Sequence, residues 1–369
     1  MTIRATAAVL KKPRDLQLRD FTVPDIGPDE GLLRVEACGL CGTDYEQWQG
    51  HLRDWGGGLP IIPGHEVIGF IEAVGSNAAK RWKVAEGDRV AVEPVIPCGH
   101  CSQCVTGAYT RCETDSGYGL YHGTKVAPLL WGGYATHLYL HPRAMLHHLP
   151  TGVPPDVMTL FNPLSNAVRW IYEVGKVGLG STVVVRPWSA WSAGNVCREA
   201  GGRHIHHCDR HRQGRSAIEL ARHFGAHATI DVDKDDPVAR VRALTDGKLA
   251  DIVLDVSAGS TAPVAQAIDM VKRGGRIVLA GLKGHNPLKD FPVDKVVFAE
   301  IELIGVLSAG WTACETAIDL VGRHGKELTP LCSHSFPLSQ ATAAVRTLGR
   351  ESTGERDAVH VTLQVADEA

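Results

Sequence analysis

Nothing in this chain reads as a membrane span or an export signal. No apolar run reaches the length of a bilayer, and the start, Met1-Thr2-Ile3-Arg4-Ala5-Thr6, lacks the apolar centre of a leader. Neither sign of charge dominates. The net charge is −3 at pH 7, which leaves no electrostatic footprint for nucleic acid or an anionic membrane. Internal repeats and low-complexity tracts are also missing. The expectation is a cytoplasmic globular protein with no nucleic-acid and no membrane partner. At 369 residues it is too long for one ordinary core, so two domains are expected.

Cysteine is present but unevenly placed. Of ten cysteines, Cys98, Cys101, Cys104 and Cys112 crowd into one short segment. In a reducing compartment such clustering indicates metal rather than disulfides. Two successive CxxC steps and a longer return can enclose a tetrahedral ion, and four thiolates leave no position for substrate. The role is then structural, tying down a lobe at about 95–115 with little core of its own. Unliganded thiols or an iron-sulfur cluster are the alternatives. The ferredoxin spacing, with its shorter last step and following proline, is not what Cys112-Glu113 supplies.

A second set of donors lies between residues 38 and 66. Cys41 stands in Gly39-Leu40-Cys41-Gly42-Thr43-Asp44, and His65 and Glu66 stand side by side in Gly64-His65-Glu66-Val67-Ile68-Gly69. Taken singly, Cys41 reads as a small buried hydrophobe and His65 as a turn histidine. Taken together they are the thiolate, imidazole and carboxylate donors of a catalytic zinc with one coordination position open.

Between Ala7 and about Leu140, short alternating segments such as 32–38, 67–75 and 87–92 predict a β-rich domain with the metal donors in its loops. After about Leu160 the pattern changes. Thr182-Val183-Val184-Val185, residues 251–256 and residues 275–281 are near-continuous apolar strands separated by helix-length stretches, one of them predicted over 264–272. Such strands belong to a parallel sheet covered on both faces, with ligand at its carboxyl ends. A helix near 314–324 and a strand near 359–365 close the chain.

These motifs resemble the zinc-dependent medium-chain dehydrogenases, the alcohol, polyol and threonine dehydrogenase family, over essentially the whole chain. The resemblance implies an α/β protein. Residues 1–160 and 309–369 would form a GroES-like β-rich catalytic domain, and residues 161–308 a Rossmann-type, doubly wound coenzyme domain. It implies two zinc ions, one catalytic and one structural, NAD or NADP as coenzyme, and a small alcohol or carbonyl substrate. A homodimer or homotetramer is implied too. By similarity Cys41 and His65 are catalytic metal ligands, Glu66 is a ligand or an acid close behind them, Asp44 orients His65, and Thr43 bonds the substrate hydroxyl. The family's further ligand falls at Asn162, whose amide oxygen is a weaker donor than thiolate or carboxylate. The relay histidine of some members would fall at Glu46, and His51 is read as a loop residue. Coenzyme contacts are expected at Val185, Asp209, Ala280 and Gly281.

One stretch departs from the family. Where a glycine fingerprint should follow the valine run, the chain has Arg186-Pro187-Trp188-Ser189-Ala190-Trp191-Ser192, and residues 203–211 read as a poor buried strand. Tryptophan has the single codon TGG, which read one base later always gives glycine. Residues 186–216 are therefore either out of frame or truly divergent. Two alternatives stand beside the dehydrogenase: a reductase relative poor in zinc, or, with residues 186–216 as written, a folded, coenzyme-deficient binding protein.

Overall fold

The structure is a computed structural model that describes residues 4–52, 58–186, 203–208, 218–351 and 358–365. The chain forms two compact units, Met1–Asn162 with Gly310–Ala369, and Pro163–Ala309.

In the first unit β1 (Arg4–Lys12) and β2 (Asp15–Thr22) form an antiparallel hairpin. β3 (Gly31–Leu40) is the organising strand, buried along almost its whole length. It pairs antiparallel with β4 (Glu66–Val74), with β6 (His137–Leu140) and with the last strand, His360–Gln364. β5 (Arg89–Val92) and β7 (Leu146–His148) extend the sheet beyond β4. Val35, Ile71, Val90, Leu138, Val361 and Leu363 fill the core between these strands. Each such side chain contributes about 1.5–3 kcal/mol on burial. The register of β3 on β4 places Gly39 opposite Glu66. Residues just beyond that pair, Cys41 on one strand and His65 on the other, therefore leave the ladder at the same end.

The second unit carries β8 (Thr182–Arg186), β9 (Arg203–Cys208), β10 (Ala228–Asp231), β11 (Ala250–Asp255), β12 (Val271–Leu279) and β13 (Glu302–Gly305). All neighbours are parallel, and the spatial order is β10-β9-β8-β11-β12-β13. Counted within the unit, that is the 3-2-1-4-5-6 order of a dinucleotide-binding fold. Val183, Val184 and Val185 are all buried. Successive strand side chains point to opposite faces, so uninterrupted burial requires cover on both.

Two sequence expectations are corrected. The helix expected over 264–272 is Ala262–Met270, because Val271 turns extended, is buried, and pairs with Ala250 on β11. Residues 203–208, expected to be a poor buried strand, form β9 between β8 and β10. Backbone pairing on both sides outweighs their weak strand propensity, and Ile205 supplies a buried apolar side chain.

Candidate active site and metal centres

Cys41 caps the helix Gly42–Gln49, and Asp44 in its first turn accepts the Cys41 amide N–H at 2.9 Å. That bond closes the turn and aims the sulfur at His65, whose Nε2 lies 3.2 Å away. The helix N-terminus also favours the thiolate. Asp44 Oδ1 stands 3.6 Å from His65 Nδ1, beside it but beyond direct hydrogen-bond length. Glu66, the first residue of β4, completes the group. Ligand atoms of Cys41, His65 and Glu66 all lie within 4.8 Å of one another, and all three residues are buried. Glycine at 39 makes room for this carboxylate. A Cβ there would press on Glu66 Oε2 and come within 3.1 Å of His360. Thr43 is half-buried on the first helical turn. His51 is exposed and pairs with Glu46 at 2.7 Å. Asn162 is buried on the helix Phe161–Ala167.

The residues fit a cation. His65 Nδ1 and Glu66 Oε2 are buried with no hydrogen-bond partner, a cost of about 1–3 kcal/mol for each polar group left so. Burial pushes Glu66 up to about 8, with His65 opposing the shift. Burial also raises the Cys41 thiol. Burial works to lower His65, yet the charges of Cys41 and Asp44 outweigh it and hold the imidazole well above its ordinary value. A divalent ion among the three would replace the protons that they otherwise retain.

The four lobe cysteines form a second group within the same 4.8 Å limit. Backbone N–H groups point at the sulfurs: Cys98 donates to Cys112 at 3.2 Å, and Cys101 to Cys98 at 3.3 Å. A hydrogen bond from the His100 amide leads the causes that bring Cys98 down to about 6. The Glu113 amide leads those that lower Cys101, while burial lifts Cys104 to about 12. Amides aimed at these sulfurs would give an all-thiolate metal site its outer support.

At the carboxyl ends of the parallel strands, Val185 is buried on β8, and the amides of Ala280 and Gly281 both donate to the Asp255 carbonyl. A Cβ at Gly281 would collide with Ser257 O, so glycine lets two loops touch there. Asp255 is fully buried, and Lys283 reaches it at 2.7 Å. Asp209 and residues 187–202 lie outside the described residues. Arg186 is described: it is buried at the end of β8, donates to Gln266 at 2.7 Å, and has no partner for Nε. Burial brings it down to about 10, against the pull of Asp255.

Residues 27–151 match the alcohol dehydrogenase GroES-like domain, and residues 192–323 the zinc-binding dehydrogenase domain. A probable alcohol dehydrogenase of Mycobacterium tuberculosis is 38% identical over 96% of this chain and 95% of its own. The chain belongs to the zinc-dependent medium-chain dehydrogenase family. It is an oxidoreductase of the alcohol dehydrogenase type. An erythritol/L-threitol dehydrogenase of Mycolicibacterium smegmatis is 28% identical over 90% of this chain and 91% of its own. A putative zinc-binding dehydrogenase of Sinorhizobium meliloti, solved bound to NADP, shares the fold with a TM-score of 0.83. It is 24% identical and covers 98% of this chain and 99% of its own.

This dehydrogenase also holds residues that motif spacing does not announce. Tyr134 is fully buried beside the group of Cys41, His65 and Glu66, with an unpartnered hydroxyl. Glu93, His147 and Cys314 form a third buried group of ligand-type side chains. Their separation in sequence leaves no local signature; only the pairing of β5 with β7 and the packing of the helix Trp311–Leu328 bring them together.

Proposed function

We propose that this dehydrogenase interconverts a primary or secondary alcohol, or a polyol, with its carbonyl at a zinc held by Cys41, His65 and Glu66. The observation that carries the reading is the buried convergence of those three donors where β3 and β4 leave their ladder. Zinc bound there supplies Lewis acidity to the substrate oxygen. Asp44 positions the pair by holding the Cys41 amide and standing beside His65 Nδ1. Thr43, at the helix start, offers its hydroxyl to the substrate hydroxyl and opens the proton's way out. Asn162 is at most a neutral ligand, so Cys41 and Glu66 carry the compensating negative charge.

Cys98, Cys101, Cys104 and Cys112 hold a second, structural zinc, giving one catalytic and one structural ion per chain. Residues 1–160 with 309–369 serve as catalytic domain and 161–308 as coenzyme domain. NAD or NADP binds at the carboxyl ends of β8, β11 and β12, at Val185, Ala280 and Gly281. A cytoplasmic setting accords with the absence of a disulfide among the eight described cysteines. A homodimer or homotetramer accords with β13, which ends the six-stranded sheet, and with exposed Val293, Val297 and Phe298 on the helix that precedes it in the chain.

The test is a panel of alcohols and polyols with NAD and with NADP, run on zinc-loaded wild type and on Cys41→Ser. Turnover that falls more than about 100-fold in the variant is expected, since losing a ligand exceeds the loss of an outer partner. Equal turnover in both proteins removes the metal assignment. Failure of either coenzyme to bind at millimolar concentration favours the coenzyme-deficient reading.

A further inference from the structure

We propose that Glu93, His147 and Cys314 form a third metal site, distinct from the catalytic and four-cysteine groups, that takes a borderline divalent cation such as zinc. The proposal does not depend on the dehydrogenase reaction. Glu93 follows β5, His147 lies in β7, and Cys314 is on the helix Trp311–Leu328. All three are buried, at 0%, 1% and 2% exposure, and their ligand atoms lie within 4.8 Å of one another. Carboxylate, imidazole and thiol are the donor types of Cys41, His65 and Glu66, and they suit zinc or cobalt rather than calcium or magnesium.

The surroundings are arranged as metal sites usually are. His147 uses Nδ1 on Glu315 and turns Nε2 toward Glu93 Oε1 at 2.8 Å, so a carboxylate fixes the ring from behind. Tyr109 donates to the Glu93 carboxylate, its oxygen 2.9 and 2.8 Å from the two carboxylate oxygens, and so sets its plane. Trp311 covers the imidazole with ring centroids 4.1 Å apart. The charge balance also calls for a cation. Two carboxylates, one wholly buried, face a single imidazole, and an imidazolium brings one positive charge where a divalent ion brings two. Because Tyr109 precedes Cys112 in the lobe, an ion here would join the lobe, the sheet and the helix across three segments distant in sequence.

Metal content settles the matter without reference to activity. Full-length wild type and Cys314→Ser, each dialysed against zinc and then metal-free buffer, are compared by elemental analysis. The variant should carry one zinc per chain fewer, with the cobalt-substituted form losing part of its thiolate-to-cobalt absorption. Should Cys314→Ser fail to fold, Glu93→Gln is measured in the same way. Independently, a wild-type crystal at the zinc edge should show anomalous density among the three side chains. Equal metal content in wild type and a folded variant overturns the site. So does a crystal with zinc at the other two groups and none here, which would leave these residues a closed network of imidazolium and carboxylates.

Discussion

Gly64 precedes His65, and replacing it by alanine should unsettle the group of Cys41, His65 and Glu66 through two separable effects. Its φ of +93° lies in the left-handed region, where an L-residue costs about 1–2 kcal/mol. Its neighbourhood is also full: an added Cβ would stand 2.9 Å from Cys38 Sγ and press on the Tyr134 ring. Overpacking of that kind costs about 1–3 kcal/mol. Gly87 provides the control, with a φ of +90° and nothing within 4 Å of an added Cβ. Gly87→Ala should therefore lose about 1–2 kcal/mol and Gly64→Ala about 2–5 kcal/mol. Urea unfolding of both variants and wild type reads the difference as shifted midpoints at constant slope. Because the displaced loop carries His65, Gly64→Ala should also retain less zinc than Gly87→Ala at the site proposed for Cys41, His65 and Glu66. Equal destabilisation of the two variants would refute the packing argument.

His360 is buried, and burial brings it from an ordinary 6.5 down to about 4. The unfolded chain then takes up a proton that the folded one refuses, so this stability is intact above pH 6.5 and lost as pH falls toward 4. Between pH 7 and 5 the loss is about 2 kcal/mol, and His360→Gln should show a correspondingly flatter decline in urea midpoints. Arg186→Met removes a buried charge whose Nε is unpaired and leaves Asp255 its Lys283 partner. A stabilisation of about 1 kcal/mol or more is expected in thermal unfolding, and a loss of stability would show that the guanidinium is needed where it lies. Phe298, 72% exposed at the end of the helix that precedes β13, should matter to assembly: Phe298→Asp should lower the mass in sedimentation while leaving the fold intact. An unchanged mass would place the interface elsewhere.

Much of this protein is written locally. The valine run at 182–185 and the apolar segments at 251–256 and 275–281 become β8, β11 and the latter part of β12, because an uninterrupted apolar strand is stable only between two covered faces. The four lobe cysteines and the pair His65-Glu66 are legible because their partners lie within a few residues, where spacing and geometry are nearly the same thing. Other features depend on distant segments. Residues 203–208 form a central strand by the pairing of both neighbours, and helix 262–270 ends early because Val271 pairs with β11. The donor types that can hold zinc were set by sequence alone. Tertiary structure decided the rest: the β3–β4 register that joins Cys41 to Glu66, and the packing that gathers Glu93, His147 and Cys314. Local periodicity carries no information about register across long separations, which burial and ladder pairing fix only once the whole sheet has formed.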